Sequence, residues 1–123
     1  MKITRFEEID GWKEARELTK KIYGFAKKPD FVKDFGLRGQ IQRASVSIMS
    51  NIAEGFDSES TKEFIRFLRF SRRSSSEVKS HLYIALDQKY ITEGEFKETQ
   101  KQVELIAKLL KGFINYLQKH TTP

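Results

Sequence analysis

Cysteine is absent from the chain, which excludes disulfides and thiolate-held metals and suits a reducing cytosol. Histidine is scarce: His81 falls at the edge of an apolar stripe and His120 in the C-terminal tail, neither with a partner at metal-ligand spacing. Proline occurs only at Pro29 and Pro123, so almost nothing forbids helix. No apolar run approaches the ~20 residues that a membrane span requires. The opening MKITRFEEIDGW carries acids and no apolar core, unlike a signal peptide. A cytoplasmic protein without membrane contact is expected.

What is present is charge and bulk. Charged residues make up 33% of the chain and apolar residues 38%, with ten Phe, four Tyr and one Trp to fill a core. At 123 residues the length suits one domain spanning 1–123. The net charge is +6, and residues 62–81 hold six basic and two acidic side chains, net +4. A basic balance favours anionic partners.

Turn signals at Lys28-Pro29-Asp30, Gly55-Phe56-Asp57-Ser58 and Ile91-Thr92-Glu93-Gly94 divide the chain into four segments. The first reads as a helix from Asp10, a good N-cap, to about Lys27, with Trp12, Ala15, Leu18, Ile22 and Phe25 at helical spacing. The second runs from Phe35 to Glu54 and is expected to end at a left-handed Gly55. The third opens on a capping box, Ser60 with Glu63, and carries Phe64, Leu68, Ser71, Ser75, Val78, Leu82 and Ala85 in unbroken 4-3 alternation. The fourth opens on a second box, Thr92 with Glu95, followed by Phe96, Thr99, Val103, Ile106, Leu110, Phe113 and Leu117. Acids at Glu93, Glu95 and Glu98 complement that helix's dipole. Period-two alternation appears nowhere. Short connections then predict an all-α, antiparallel up-and-down four-helix bundle.

The second segment is unusually free of charge. Ten uncharged residues separate Arg43 from Glu54. Leu37, Ile41, Ala44, Ile48 and Ile52 form one apolar stripe, while Val46, Met49, Ala53 and Phe56 spread over the opposite side. A polar strip of Gln40, Arg43, Ser47, Asn51 and Glu54 runs between them. Apolar surface on two sides points to a second subunit over one of them, with the strip Gln40, Ser47, Asn51 and Glu54 at an oligomer interface. The alternative is a helix buried within one subunit, its strip satisfied by neighbouring helices.

The third segment has a basic face. Lys62, Arg66, Arg69 and Arg73 follow 4-3-4 spacing and project within an arc of roughly 60°, opposite the apolar stripe, with Arg72 beside them. Guanidinium groups at one-turn intervals suit successive phosphates of RNA or DNA, with Arg43 contributing, and Phe70 and Tyr83 flank the row as stacking platforms. The plainer meaning of such a row is a solvated face paired with acids of another subunit or of an acidic protein partner. No catalytic motif occurs: the serines lack a nucleophile elbow, and Gly36-Leu37-Arg38-Gly39 lacks the strands a KH loop needs. Neither catalysis nor a cofactor or metal is expected.

The stretch from Gln40 to Gly55 resembles the pattern Q-I-x-R-A-x-x-S-I-x-x-N-I-A-E-G, matched at Gln40, Ile41, Arg43, Ala44, Ser47, Ile48 and Asn51 through Gly55. This pattern is similar to that of the four-helix-bundle proteins encoded by intervening sequences in bacterial large-subunit ribosomal RNA genes. Lys62 through Leu68, Phe6, Trp12 and Ala15 extend the likeness over nearly the whole chain. Met49 stands where that family commonly has proline, and Arg73-Ser74-Ser75 where it prefers Gly-Ser-Leu, which enlarges the basic row and leaves Ser75 at a core position. The resemblance implies a ring of five subunits without enzymatic activity. It also implies kinship with the accessory variability proteins of diversity-generating retroelements, which bind nucleic acid and a protein partner through basic surfaces. The family label reflects gene location. A non-enzymatic, nucleic-acid-binding homo-oligomer is the leading expectation, a scaffold gripping an acidic protein the alternative.

Overall fold

Apolar side chains at every third or fourth position, with so few helix breakers, leave the chain one economical way to hide them. In the computed structural model, which describes residues 2–120, it forms α1 (Asp10–Phe25), α2 (Phe35–Phe56), α3 (Thr61–Asp87) and α4 (Glu93–Lys119). Short 3-10 turns precede α1 (Phe6–Glu8) and α2 (Phe31–Lys33). Each helix packs on its chain neighbours and α1 closes against α4, giving the expected antiparallel four-helix bundle. No strand occurs among the described residues, and none of their helices is long and apolar enough to cross a membrane. Pro123 lies outside them.

The predicted stripes form the core. Leu18, Ile22, Ile41, Ile48, Ile52, Leu68, Val78, Leu82, Ile106 and Leu110 are fully buried. Truncating one such side chain to alanine costs about 2–5 kcal/mol. Ser71 and Ser75 occupy core positions as the spacing requires, and their hydroxyls are satisfied: Ser71 donates to the Ile48 carbonyl (2.8 Å) and Ser75 to that of Arg72 (2.6 Å). In α4, Ile114 enters the core, while Phe96 and Phe113 are only partly covered.

The helix ends differ from expectation in three places. Asp10 is the first helical residue rather than the cap; Ile9 is the cap and offers no side-chain acceptor, so Asp10 serves only by its charge at the helix N-terminus. Gly55 is not left-handed; it lies buried inside α2, which continues to Phe56. A Cβ at Gly55 would sit 2.8 Å from Phe67 Cβ and 2.9 Å from Phe64 Cδ1. This glycine therefore permits close approach of α3, where the sequence suggested a turn. At α3 only half of the first box forms: Ser60 Oγ accepts from Glu63 N–H (3.1 Å), but the Glu63 carboxylate goes to Arg66. The Thr92–Glu95 box is complete, with bonds of 3.0 and 2.9 Å. His120 caps α4 with Nδ1 2.8 Å from the Tyr116 carbonyl and its ring stacked on Tyr116.

Candidate nucleic-acid interface on the third helix

The 4-3-4 spacing does what it predicted: Lys62, Arg66, Arg69 and Arg73 all stand exposed on α3. They are not equivalent. Arg66 pairs with Glu63 at 3.1 Å, and the guanidinium groups of Arg66 and Arg73 lie 5.0 and 5.7 Å from the Phe70 ring centre. Phe70 thus holds two arginines by cation–π attraction, which keeps their charge available on the surface. The exposed Arg66–Glu63 pair is weak and readily exchanged for a phosphate. Lys62 and Arg69 have no ion pair or hydrogen bond among the described residues.

Arg72 behaves differently because it lies about 100° around the helix from Arg73. It is half-buried, turned toward α4, and its Nε is enclosed without a partner. Arg69, Arg72 and Arg73 meet Ser75, Ser76 and Ala107 around a cleft of about 340 Å³, with no carboxylate in its lining. The small side chains of Ser75 and Ala107 open this space between α3 and α4.

Arg43 does not join the row. It stands on α2 beside Gln40 and Ser47 at a shallow cleft of about 130 Å³ shared with Glu77, whose negative charge offsets it. The polar strip is divided in the same way. Asn51 Nδ2 donates to the Ser47 carbonyl (2.9 Å) and lies 3.0 Å from Ser47 Oγ, which also accepts from Ser74 Oγ at 2.9 Å. Ser47 and Asn51 are therefore satisfied within the subunit, along the α2–α3 seam, whereas Gln40 and Glu54 are exposed. Met49 and Phe56 pack against the core rather than facing outward, so the second apolar side of α2 shrinks to Val46 and half-buried Ala53, with the exposed Ser50 between them.

A second basic cluster is brought together only by the fold. Lys79 from α3 and Lys97 and Lys101 from α4 surround another cleft of about 340 Å³ with Tyr83, Phe96, Gln100 and Glu104. Lys97 and Lys101 stand one turn apart, and the antiparallel fold brings them to Lys79 and Tyr83 of α3. No group of His, Cys, Asp or Glu among the described residues is arranged to hold a metal.

None of the curated proteins is significantly similar to the chain. Among solved structures, a crystal structure of a protein of unknown function from the S23 ribosomal protein family of Bacteroides thetaiotaomicron is 26% identical. It superposes with a TM-score of 0.78 over 85% of this chain and 97% of that one. The family model described as 23S rRNA-intervening sequence protein matches residues 7–112, which include α1, α2, α3, the basic row and most of α4. By that match the chain belongs to the 23S rRNA-intervening sequence protein family.

Proposed function

We propose that the protein is a cytoplasmic, non-enzymatic module that self-associates, as a ring of five subunits, and binds RNA or DNA through the basic face of α3. The observation that carries the binding is the convergence of Arg69, Arg72 and Arg73 on one cleft free of carboxylates, with Lys62 and Arg66 continuing the row. Arginine forks match phosphate oxygens bidentately, and a ring repeats each modest patch so that weak contacts sum to avidity. Self-association is supported by the outward side of α2, where Val46, Ser50 and Ala53 present a smooth surface without charge.

The test is titration of a labelled RNA with the intact protein at several salt concentrations. Four or five phosphate contacts predict that log K falls with log salt at a slope of about −3 for a single strand. The double variant Arg66→Glu/Arg69→Glu should abolish binding. Salt-independent binding, or indifference to that variant, overturns the nucleic-acid role. Recovery of an acidic protein that survives nuclease treatment would favour the scaffold alternative. Mass measurement of the purified assembly checks the ring, and a monomer at working concentration rules it out.

A further inference from the structure

The two helices richest in basic side chains run antiparallel in a fixed register. Ala107 lies beside the Arg72 cleft, Gln100 Nε2 donates to the Lys79 carbonyl at 3.0 Å, and the Tyr83 and Phe96 rings meet edge to face at 4.9 Å. The arginine cleft and the lysine cleft thus lie on one seam, along the same side of α3. Arg72 and Tyr83 are eleven residues apart, a span of roughly 16 Å. Six cationic side chains line the two clefts against one acid, Glu104.

The lysine end adds something the arginine end lacks. Tyr83 is 51% exposed, an aromatic surface left open amid positive charge. Phe96 braces the Tyr83 ring from the side, which fixes it as a platform. The cleft floor is Gln100, only 6% exposed, whose Oε1 has no hydrogen-bond donor among the described residues. A ligand N–H or O–H entering the cleft would supply one.

We propose that the α3/α4 seam is a groove for single-stranded nucleic acid, its phosphates drawn to Arg69, Arg72 and Arg73 and an unpaired base stacked on Tyr83 beside Phe96. This rests on nucleic-acid binding by α3 and adds strandedness and a base-contacting site to it. A positive track with aromatic platforms is what sequence-tolerant single-strand binding requires, because every base offers a π-face. A duplex hides those faces in its stack and would leave Tyr83 and Phe96 idle.

The experiment is fluorescence anisotropy of the full chain at fixed low salt with ~15-nucleotide oligouridylate and oligothymidylate, and with a hairpin duplex carrying as many phosphates. Both single strands are expected to bind about tenfold or more tightly than the duplex. Tyr83→Ala should weaken single-strand binding at least about fivefold, the lower end for one base–aromatic stack, and leave the duplex unaffected. Tyr83→Phe should bind as wild type, Lys97→Glu/Lys101→Glu more weakly, and Glu104→Gln more tightly. Equal affinity for duplex and single strand overturns the groove, as does polyglutamate competing as well as the oligonucleotides. If Arg66→Glu/Arg69→Glu abolishes binding while Tyr83→Ala and Lys97→Glu/Lys101→Glu do not alter it, the groove is wrong and the basic face stands. A chain that binds neither nucleic acid removes both.

Discussion

The phenol of Tyr90 donates a 3.0 Å hydrogen bond to Oδ2 of Asp34, while Oδ1 of the same carboxylate accepts from the Leu37 N–H at 3.0 Å. One side chain therefore caps α2 and ties the α1–α2 connection to the α3–α4 connection. Phe31 stacks on Tyr90 with ring centres 5.0 Å apart and completes the clasp. Tyr90→Phe is expected to lower Tm by a few degrees, and Asp34→Ala by more, since it removes both bonds and leaves a helix end uncapped. The hydrogen bond to Asp34 raises the Tyr90 pKa above its ordinary value. Its stabilisation is therefore complete below the ordinary tyrosine range and lost as pH rises through the folded-state value. Thermal melts of wild type and Tyr90→Phe should converge in strong alkali.

Glu95 gives the acid counterpart. Its hydrogen bond with Lys28 (2.6 Å), and next the Thr92 N–H, hold its carboxyl below the usual glutamate range. The stabilisation is full above that range and disappears as pH falls through the depressed folded value. Glu95→Gln should therefore melt lower than wild type at neutral pH and match it at about pH 2, well below the ordinary glutamate value. A difference that persists in acid would place the effect elsewhere.

Glycine substitutions should split by position. Gly55→Ala drives a methyl into Phe67 and Phe64 and is expected to cost about 1–3 kcal/mol by overpacking. Gly112→Ala meets nothing within 4 Å and should stabilise α4 by about 0.5–1 kcal/mol. Urea denaturation of the two variants reads the contrast directly.

Lys89 is the one non-glycine residue with positive φ (61°) among those described, at the left-handed position that closes α3, where the Tyr90 N–H reaches the Ala85 carbonyl at 2.9 Å. Lys89→Gly relieves that conformation and should stabilise the protein by about 1 kcal/mol. No gain in the urea midpoint would show that the turn is not strained.

Arg43→Ala and Arg69→Ala should separate the two helices' contributions. Arg69 lies at the carboxylate-free cleft, whereas Arg43 shares its cleft with Glu77. RNA affinity at low salt is expected to fall several-fold with Arg69→Ala and to stay at the wild-type level with Arg43→Ala. The reverse order would relocate the binding face to α2.

Which residues share a helix face was legible because burial repeats with the helical period: Leu68, Ser71, Ser75, Val78 and Leu82 are all buried, the serines included. What each hydroxyl bonds across the bundle was not legible, because that depends on the register between two helices. Gly55 reads as a turn but serves a close contact, because one residue type meets both needs with the same local signature. Charge alone does not separate Arg43 from the α3 arginines, whereas the fold places it at a cleft with Glu77. Lys97 and Lys101 are not legible as part of a cluster, because their neighbours Lys79 and Tyr83 are distant in the chain and adjacent only once α4 folds back.

The α2–α3 seam has a mechanical consequence. Ser71 is fastened to the Ile48 carbonyl and Ser74 to Ser47, and Gly55 seats Phe67, so three points along the pair are indexed at once. Sliding α3 along α2 by even one residue would break both hydroxyl contacts and drive Phe67 against a bulkier neighbour. These two helices are therefore held in register at three points, and α4 is joined to α3 by the Gln100–Lys79 hydrogen bond and the Tyr83–Phe96 ring contact. Amide hydrogen exchange should then be slow at the three indexed points of α2 and α3; fast exchange there would mean that the seam does not hold the register.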